Sequence, residues 1–231
     1  ASGAVIGAEA LARWHHPVRG LVSPADFIPV LEGTSLIHRF TTRVLHLALG
    51  QARRWLDDGH RVPVAVNVST RSLLDSTFPD QVADALRAAG VPGDQLCIEI
   101  TENTVMADPD RAIDVLRRIR ELGVATAIDD FGTGYSSMAY LKILPVDEIK
   151  VDRSFVRDMA IDHSNRVLVE STVDLGHNLG LLVVAEGVED GPTVTALQDL
   201  GCDFAQGYHY AKPLAAADFA DFLADRKVAT T

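Results

Sequence analysis

PDRAIDVLRRIRELGVATAIDD, from Pro109 to Asp130, sets the architecture of this chain. Its first part, Pro109–Leu122, has the apolar spacing of an amphipathic helix. Pro109 stands where a first helical residue would, and there a missing N–H costs nothing. Gly123 follows, and glycine takes the left-handed backbone that satisfies a helix's last carbonyls. Val124–Asp129 is then a short, nearly continuous apolar run, as a strand buried on both faces should be. It ends on adjacent carboxylates, Asp129 and Asp130.

The same order repeats outward in both directions. Strands are expected at Val5–Ala8, Val62–Val68, Leu96–Ile100, Glu148–Val151, Leu181–Ala185 and, with a weaker pattern, Asp203–Gly207. Helices are expected over Thr41–Asp58, Asp80–Ala89, Ser164–Leu179 and Pro192–Leu200, stopping at Gly59, Gly90, Gly180 and Gly201. Repeated βα punctuation favours a parallel sheet wrapped by helices, and hence an α/β barrel of the TIM-like (β/α)8 type. Only seven strands are found, where a closed barrel needs eight. Trp14–Pro29, with three prolines, reads as a long loop after the first strand, and the tail beyond Leu223 is expected to fray.

Composition narrows the function. A chain of 231 residues, 47% apolar and 23% charged, suits one large domain with a sizeable core. Its formal charge of −11 argues against binding a nucleic-acid polymer, which needs clustered Lys and Arg. Cys97 and Cys202 read as free thiols of a cytoplasmic protein. No apolar run approaches the roughly 20 residues of a membrane span, so no membrane contact by this domain is expected.

In such barrels the reactive groups sit at the carboxyl ends of the strands. Those ends read Glu9, Asn67, Glu99, Asp129 with Asp130, Lys150, Glu186 and Gln206. One polar strand end is ordinary, but this many converging on one mouth exceed what solvation requires. Clustered carboxylates repel unless cations neutralise them. Oxygen ligands without thiolates or paired histidines suit hard ions such as Mg²⁺ or Mn²⁺. Two such ions also explain how an acidic pocket could hold an anionic ester, activating a water and stabilising the leaving oxygen. The pattern therefore points to a metal-assisted hydrolase and leaves the substrate open.

Gly7-Ala8-Glu9-Ala10-Leu11-Ala12-Arg13-Trp14 is similar to the signature that names EAL domains. The resemblance continues through Asn67-Val68-Ser69, Glu99-Ile100-Thr101-Glu102 and the run from Asp129 through Gly132, Gly134 and Tyr135 to Ser137. It goes on through Lys150-Val151-Asp152-Arg153-Ser154-Phe155, Ala185-Glu186-Gly187-Val188-Glu189 and Gln206-Gly207-Tyr208. These blocks come in the family's order and span nearly the whole chain, which identifies residues 1–231 as an EAL domain.

The resemblance implies hydrolysis of the bacterial second messenger cyclic di-GMP to linear pGpG, with two Mg²⁺ or Mn²⁺ ions and inhibition by Ca²⁺. It implies that Glu9, Asn67, Glu99 and Asp129 hold one metal, with Asp129 bridging to a second beside Asp130 and Glu186. Lys150 would contact the attacking water, orienting it or, with a lowered pKa, taking its proton; the orienting role is preferred. Glu102 would anchor the loop Asp130–Ser137. Arg13 would pair with a ligand phosphate, and Leu11, Gln206 and Asp152 would line the substrate pocket. A homodimer, and fusion to sensor or diguanylate cyclase domains outside this chain, are implied in the same way.

Two features depart from the family pattern. Its members carry an antiparallel strand ahead of the EAL block, and that strand is missing here, matching the count of seven. The expectation is an N-terminally truncated domain of a longer protein, or else an open seam that another chain fills. The run Tyr208-His209-Tyr210-Ala211-Lys212-Pro213 also differs, though Lys212 keeps the usual positive charge.

Other conspicuous residues have plain explanations. His15 and His16 are neighbours that point different ways and belong to loop packing. Trp14 and Trp55 suit core anchors, while Arg53-Arg54 and Arg117-Arg118-Arg120 suit solvated helix faces. Glu32 fits a support for the site or a surface carboxylate equally well. The rival functions are a receptor that binds cyclic di-GMP without hydrolysis and acts through a protein partner, and a barrel used only as a scaffold. The presence of Glu9, Glu99, Asp129, Asp130 and Lys150 together argues against the receptor, and the scaffold predicts no stabilisation by ligand with Ca²⁺ in a thermal-shift assay.

Overall fold

The computed structural model describes residues 3–134, 138–224, 226 and 228. The strands are β1 (Ala8–Glu9), β2 (Trp14–His16), β3 (Gly20–Val22), β4 (Val64–Asn67), β5 (Leu96–Thr101), β6 (Ala125–Phe131), β7 (Glu148–Val151), β8 (Leu182–Ala185) and β9 (Phe204–Ala205). Seven of them form one sheet in the order β1–β4–β5–β6–β7–β8–β9, and every pair in it is parallel. Parallel neighbours require crossovers, and helices such as Leu36–Asp57, Phe78–Ala89, Pro109–Glu121 and His163–Asn178 supply them.

Each of the seven expected strands has a counterpart within a few residues, and Glu148–Val151 coincides at both ends. The glycines expected to stop the five helices all take left-handed backbone. Among the described residues the sheet is an α/β half-barrel of seven strands, against the eight of a closed barrel. Its curl is visible at the two edge strands: Gln206, just after β9, donates from Nε2 to Glu9 Oε2 on β1 at 2.7 Å. At the opposite end of that seam Val5 forms a parallel bridge with Val228, where the sequence had suggested a frayed tail.

The long loop expected over Trp14–Pro29 is replaced by structure. β2 and β3 form an antiparallel hairpin, and a helix follows at Pro24–Glu32. The Ser23 side chain caps that helix by accepting from the Ala25 amide, with Pro24 in the first turn. Three prolines read as breakers, but Pro24 starts the helix and Pro29 is carried inside it. The histidines take up turn duties, His16 Nδ1 accepting from the amides of Val18 and Arg19.

The core lies between the sheet and its helices. Ile98 and Ile100 of β5 and Ile149 of β7 are sealed against Leu116 and Ile119 of Pro109–Glu121 and against Phe78. Full burial of each such side chain contributes roughly 1.5–3 kcal/mol. This rigid layer fixes where the strands end. No helix among the described residues is long and apolar enough to cross a membrane.

Candidate active site

Lys150 stands at the centre of the strand mouth, and its side chain is only 3% exposed. Its Nζ lies 2.6 Å from Glu186 Oε1, 2.7 Å from Glu99 Oε1, 3.4 Å from Asp129 Oδ1 and 3.9 Å from Glu9 Oε2. These groups come from five strand ends, and the register explains their meeting. Asn67 is paired with Glu99, Thr101 with Asp129, and Lys150 with Val184 two residues before Glu186. Parallel strands in near-level register bring their carboxyl ends to one rim.

Asn67 binds the ring together, Nδ2 donating to Glu9 Oε1 at 2.7 Å and to Glu99 Oε2 at 3.1 Å. Gln206 ties the far oxygen of Glu9 across the seam. Consecutive strand residues normally face opposite sides. Here β6 changes register between Ile128 and Phe131, and Asp130 takes φ 54°, a left-handed backbone at a residue other than glycine. That irregularity lets the adjacent carboxylates share one site: Asp129, Asp130 and Glu186 each offer an oxygen within 4.8 Å of the others.

Burial dominates the electrostatics. It pushes Glu99 up to about 8 and Glu186 up to about 7, against the pull of Lys150, with neighbouring carboxylates adding to the rise. Asp130 is raised to about 6, first by burial and then by Asp129. Burial also works to lower Lys150, but Glu99, Glu186, Glu9 and Asp129 outweigh it and hold the ammonium well above the ordinary lysine value. In the metal-free protein Lys150 is thereby held in its ammonium form. One ammonium cannot neutralise four carboxylates, so burial and mutual repulsion raise the most buried of them.

The remaining residues lie around this ring. Asp152 caps the turn Arg153–Val156 by accepting from the Ser154 amide and hydroxyl, and it hydrogen-bonds Asp130. Glu102 opens a short helix directly after β5 and is buried; a Cβ placed on Gly134 would fall 2.7 Å from its Oε1. The loop from Asp130 thus passes over Glu102, although Tyr135–Ser137 lie outside the described residues. Arg13 is exposed and donates to its neighbour's carbonyl, Ala12 O, at 2.9 Å, and Leu11 is exposed beside it. These two are not in the ring. Glu32 lines an open cavity of about 470 Å³ with Thr70, Arg71 and Leu74, none of which belongs to the ring. Trp55 is a core residue as expected, whereas Trp14 is 42% exposed on the hairpin.

Sequence reasoning gave no role to Gly187. Its φ is 69°, and an added Cβ would lie 2.4 Å from Arg153 Cβ, so glycine is what lets the residue after Glu186 pass the start of the next turn. A glycine directly after a strand-end glutamate was the available signal.

The donor set fits hard divalent cations. All candidate ligand atoms are oxygens, they exceed the charge that Lys150 can balance, and neither thiol is among them.

Fold and site together define an α/β barrel-type protein whose reactive groups converge at the carboxyl ends of its parallel strands. A model of the EAL domain matches residues 1–213, and the chain belongs to that family. MucR of Pseudomonas aeruginosa, a bifunctional diguanylate cyclase/cyclic di-GMP phosphodiesterase, is 42% identical over 93% of this chain and 32% of its own length. The cyclic di-GMP phosphodiesterase NbdA from the same organism is 41% identical over 96% of this chain and 29% of its own length. The chain thus spans about a third of the length of these curated relatives. A solved MucR phosphodiesterase in complex with c-di-GMP superposes with a TM-score of 0.89 at 41% identity, covering 93% of this chain and 87% of that one.

Proposed function

We propose that this chain hydrolyses cyclic di-GMP to linear pGpG with two divalent ions, Mg²⁺ or Mn²⁺, at the mouth around Lys150. The observation that carries this reading is the ring of Glu9, Glu99, Asp129 and Glu186 about one buried ammonium, with Asp130 alongside. Relatives named as cyclic di-GMP phosphodiesterases support the choice of substrate.

Glu9, Asn67, Glu99 and Asp129 would hold one ion; Asp129, with Asp130 and Glu186, would hold the other. Bound there, the ions would lower the pKa of a water and balance the charge developing on the diester. The chain's own groups do the rest. Lys150 Nζ, set among the ligand carboxylates, donates hydrogen bonds and fixes the orientation of the attacking water. The water oxygen forms a bond to one phosphorus as that water gives up a proton to solvent, the P–O3′ bond breaks, and the leaving 3′ oxygen takes up a proton in return. The product is opened at one diester and linear.

Arg13, free of any carboxylate partner among the described residues, can swing to engage phosphate oxygens. Leu11, Gln206 and Asp152 line the approach, and Glu102 supports the loop that begins at Asp130. Residues 1–231 act as one EAL domain of a longer cytoplasmic protein, working as a homodimer and joined to sensor or diguanylate cyclase domains. Ca²⁺, larger and less demanding in geometry, would occupy the site and inhibit.

The test is product analysis after mixing the chain with cyclic di-GMP and Mg²⁺ or Mn²⁺, with an EDTA control. Metal-dependent pGpG is the expected result. Binding without product would replace this reading with that of a receptor.

A further inference from the structure

The sequence suggests a role for Lys150 only in the reaction, beside the water. Its surroundings suggest an earlier one. The ammonium is as buried as a core residue and is paired at 2.6–2.7 Å with two carboxylates from different strands, Glu186 and Glu99. Asp129 and Glu9 approach it from two more. No other cation reaches Glu9, Glu99, Asp129 or Glu186 within 4 Å among the described residues; their remaining contacts are the amides of Asn67 and Gln206 and the backbone of Asp130. Four buried or half-buried carboxylates on separate strands would repel one another and spread the mouth.

We infer that Lys150 is the resident counter-cation of the metal-free protein: it holds the carboxylate ring assembled until divalent ions arrive, and it competes with those ions for Glu99 and Glu186. This rests on the reading of the mouth as a metal site.

Two consequences follow with opposite signs. Removing the ammonium leaves the ring uncompensated, so the metal-free protein loses stability. Removing it also takes away a positive charge that an arriving ion must displace and approach, so ion binding tightens. A lysine that acted only on the water would change neither. A lysine needed only for packing would lower stability equally with and without ions.

The test uses Lys150→Met, which keeps the length of the stem, and Lys150→Met/Glu99→Gln, which restores part of the charge balance. Thermal midpoints in EDTA and in saturating Mn²⁺, and Mn²⁺ affinity by titration calorimetry, are the readouts. Lys150→Met is expected to lower the midpoint in EDTA by about 10 °C, as for a buried charge cluster stripped of a partner. Mn²⁺ should recover at least half of that fall, and the double variant should recover part of it without metal. The first ion should bind Lys150→Met about tenfold more tightly than wild type, a modest share of one unit charge a few ångströms away.

Equal falls in EDTA and Mn²⁺, or unchanged Mn²⁺ affinity, would overturn the inference. If Lys150→Met does not fold in EDTA, the double variant decides: no recovery points to packing and refutes the counter-cation role. Failure of wild type to bind Mn²⁺ at all would instead sink the metal reading itself.

Discussion

Replacing Gly187 by alanine should damage the site without touching any charged group. Gly187 has φ 69°, a backbone that costs an L-residue about 1–2 kcal/mol. The new Cβ would lie 2.4 Å from Arg153 Cβ and 3.1 Å from Arg153 Cα. Neither atom can rotate away, and ordinary carbon contacts begin near 3.5 Å, so β8 and the turn Arg153–Val156 must part by about 1 Å. Overpacking of this kind costs about 1–3 kcal/mol, for a total of about 2–5 kcal/mol. In a chain of this size the thermal midpoint should fall by roughly 5–15 °C. Glu186 precedes the altered residue and sits 2.6 Å from Lys150, so an ångström of displacement should also lower turnover by about 10²-fold. Gly180→Ala is the control. Its φ is 73°, but nothing lies within 4 Å of the added Cβ, so only the backbone cost applies and turnover should hold. The assays are differential scanning fluorimetry and pGpG release. If both variants lose the same stability and Gly187→Ala keeps full turnover, the close approach to Arg153 does not position Glu186, and the reasoning fails.

Gln206→Ala removes the 2.7 Å bond to Glu9 across the seam from an exposed side chain. Stability should change by less than about 1 kcal/mol, while turnover falls about tenfold because Glu9 is no longer fixed on that side; a thermal melt beside a rate measurement separates the two effects. The metal-free protein should also lose stability with rising pH. Glu99, Glu186 and Asp130 have folded-state pKa values above the unfolded carboxylate range, at about 8, 7 and 6. Their contribution is therefore complete below the unfolded value, near 4, and is lost progressively as pH climbs from there through the folded values, up to about 8. Midpoints in EDTA should fall across that window, and Mg²⁺ affinity should rise across it, because binding requires ionised ligands. A flat profile in EDTA would show that burial does not govern these groups.

Much of this protein could be read from its sequence because the relevant patterns are local. Pro109, the apolar spacing behind it, Gly123 and Val124–Asp129 each act within a few residues, so helix, stop and strand are written in order. Parallel strands then place their carboxyl ends on one rim, which is why Glu9, Asn67, Glu99, Asp129, Lys150 and Glu186 could be picked out before any coordinates. The hairpin at Trp14–Val22 and the helix after it were not legible, since prolines signal a break as readily as a helix start. Ser23 and Pro24 settle the matter only with a hydrogen bond to Ala25.

Three properties belong to the tertiary structure alone. The left-handed backbone at Asp130 and the irregularity of β6 aim two adjacent carboxylates at one place, against the alternation a strand would impose. The curl of the sheet joins Gln206 to Glu9 across nearly the whole sequence. The charge of Lys150 is fixed by four carboxylates from other strands, each invisible from its own neighbourhood in the chain. Sequence determines which groups reach the mouth, because strand ends are a local matter. Their protonation and mutual hold depend on distances between strands, and only the folded sheet sets those.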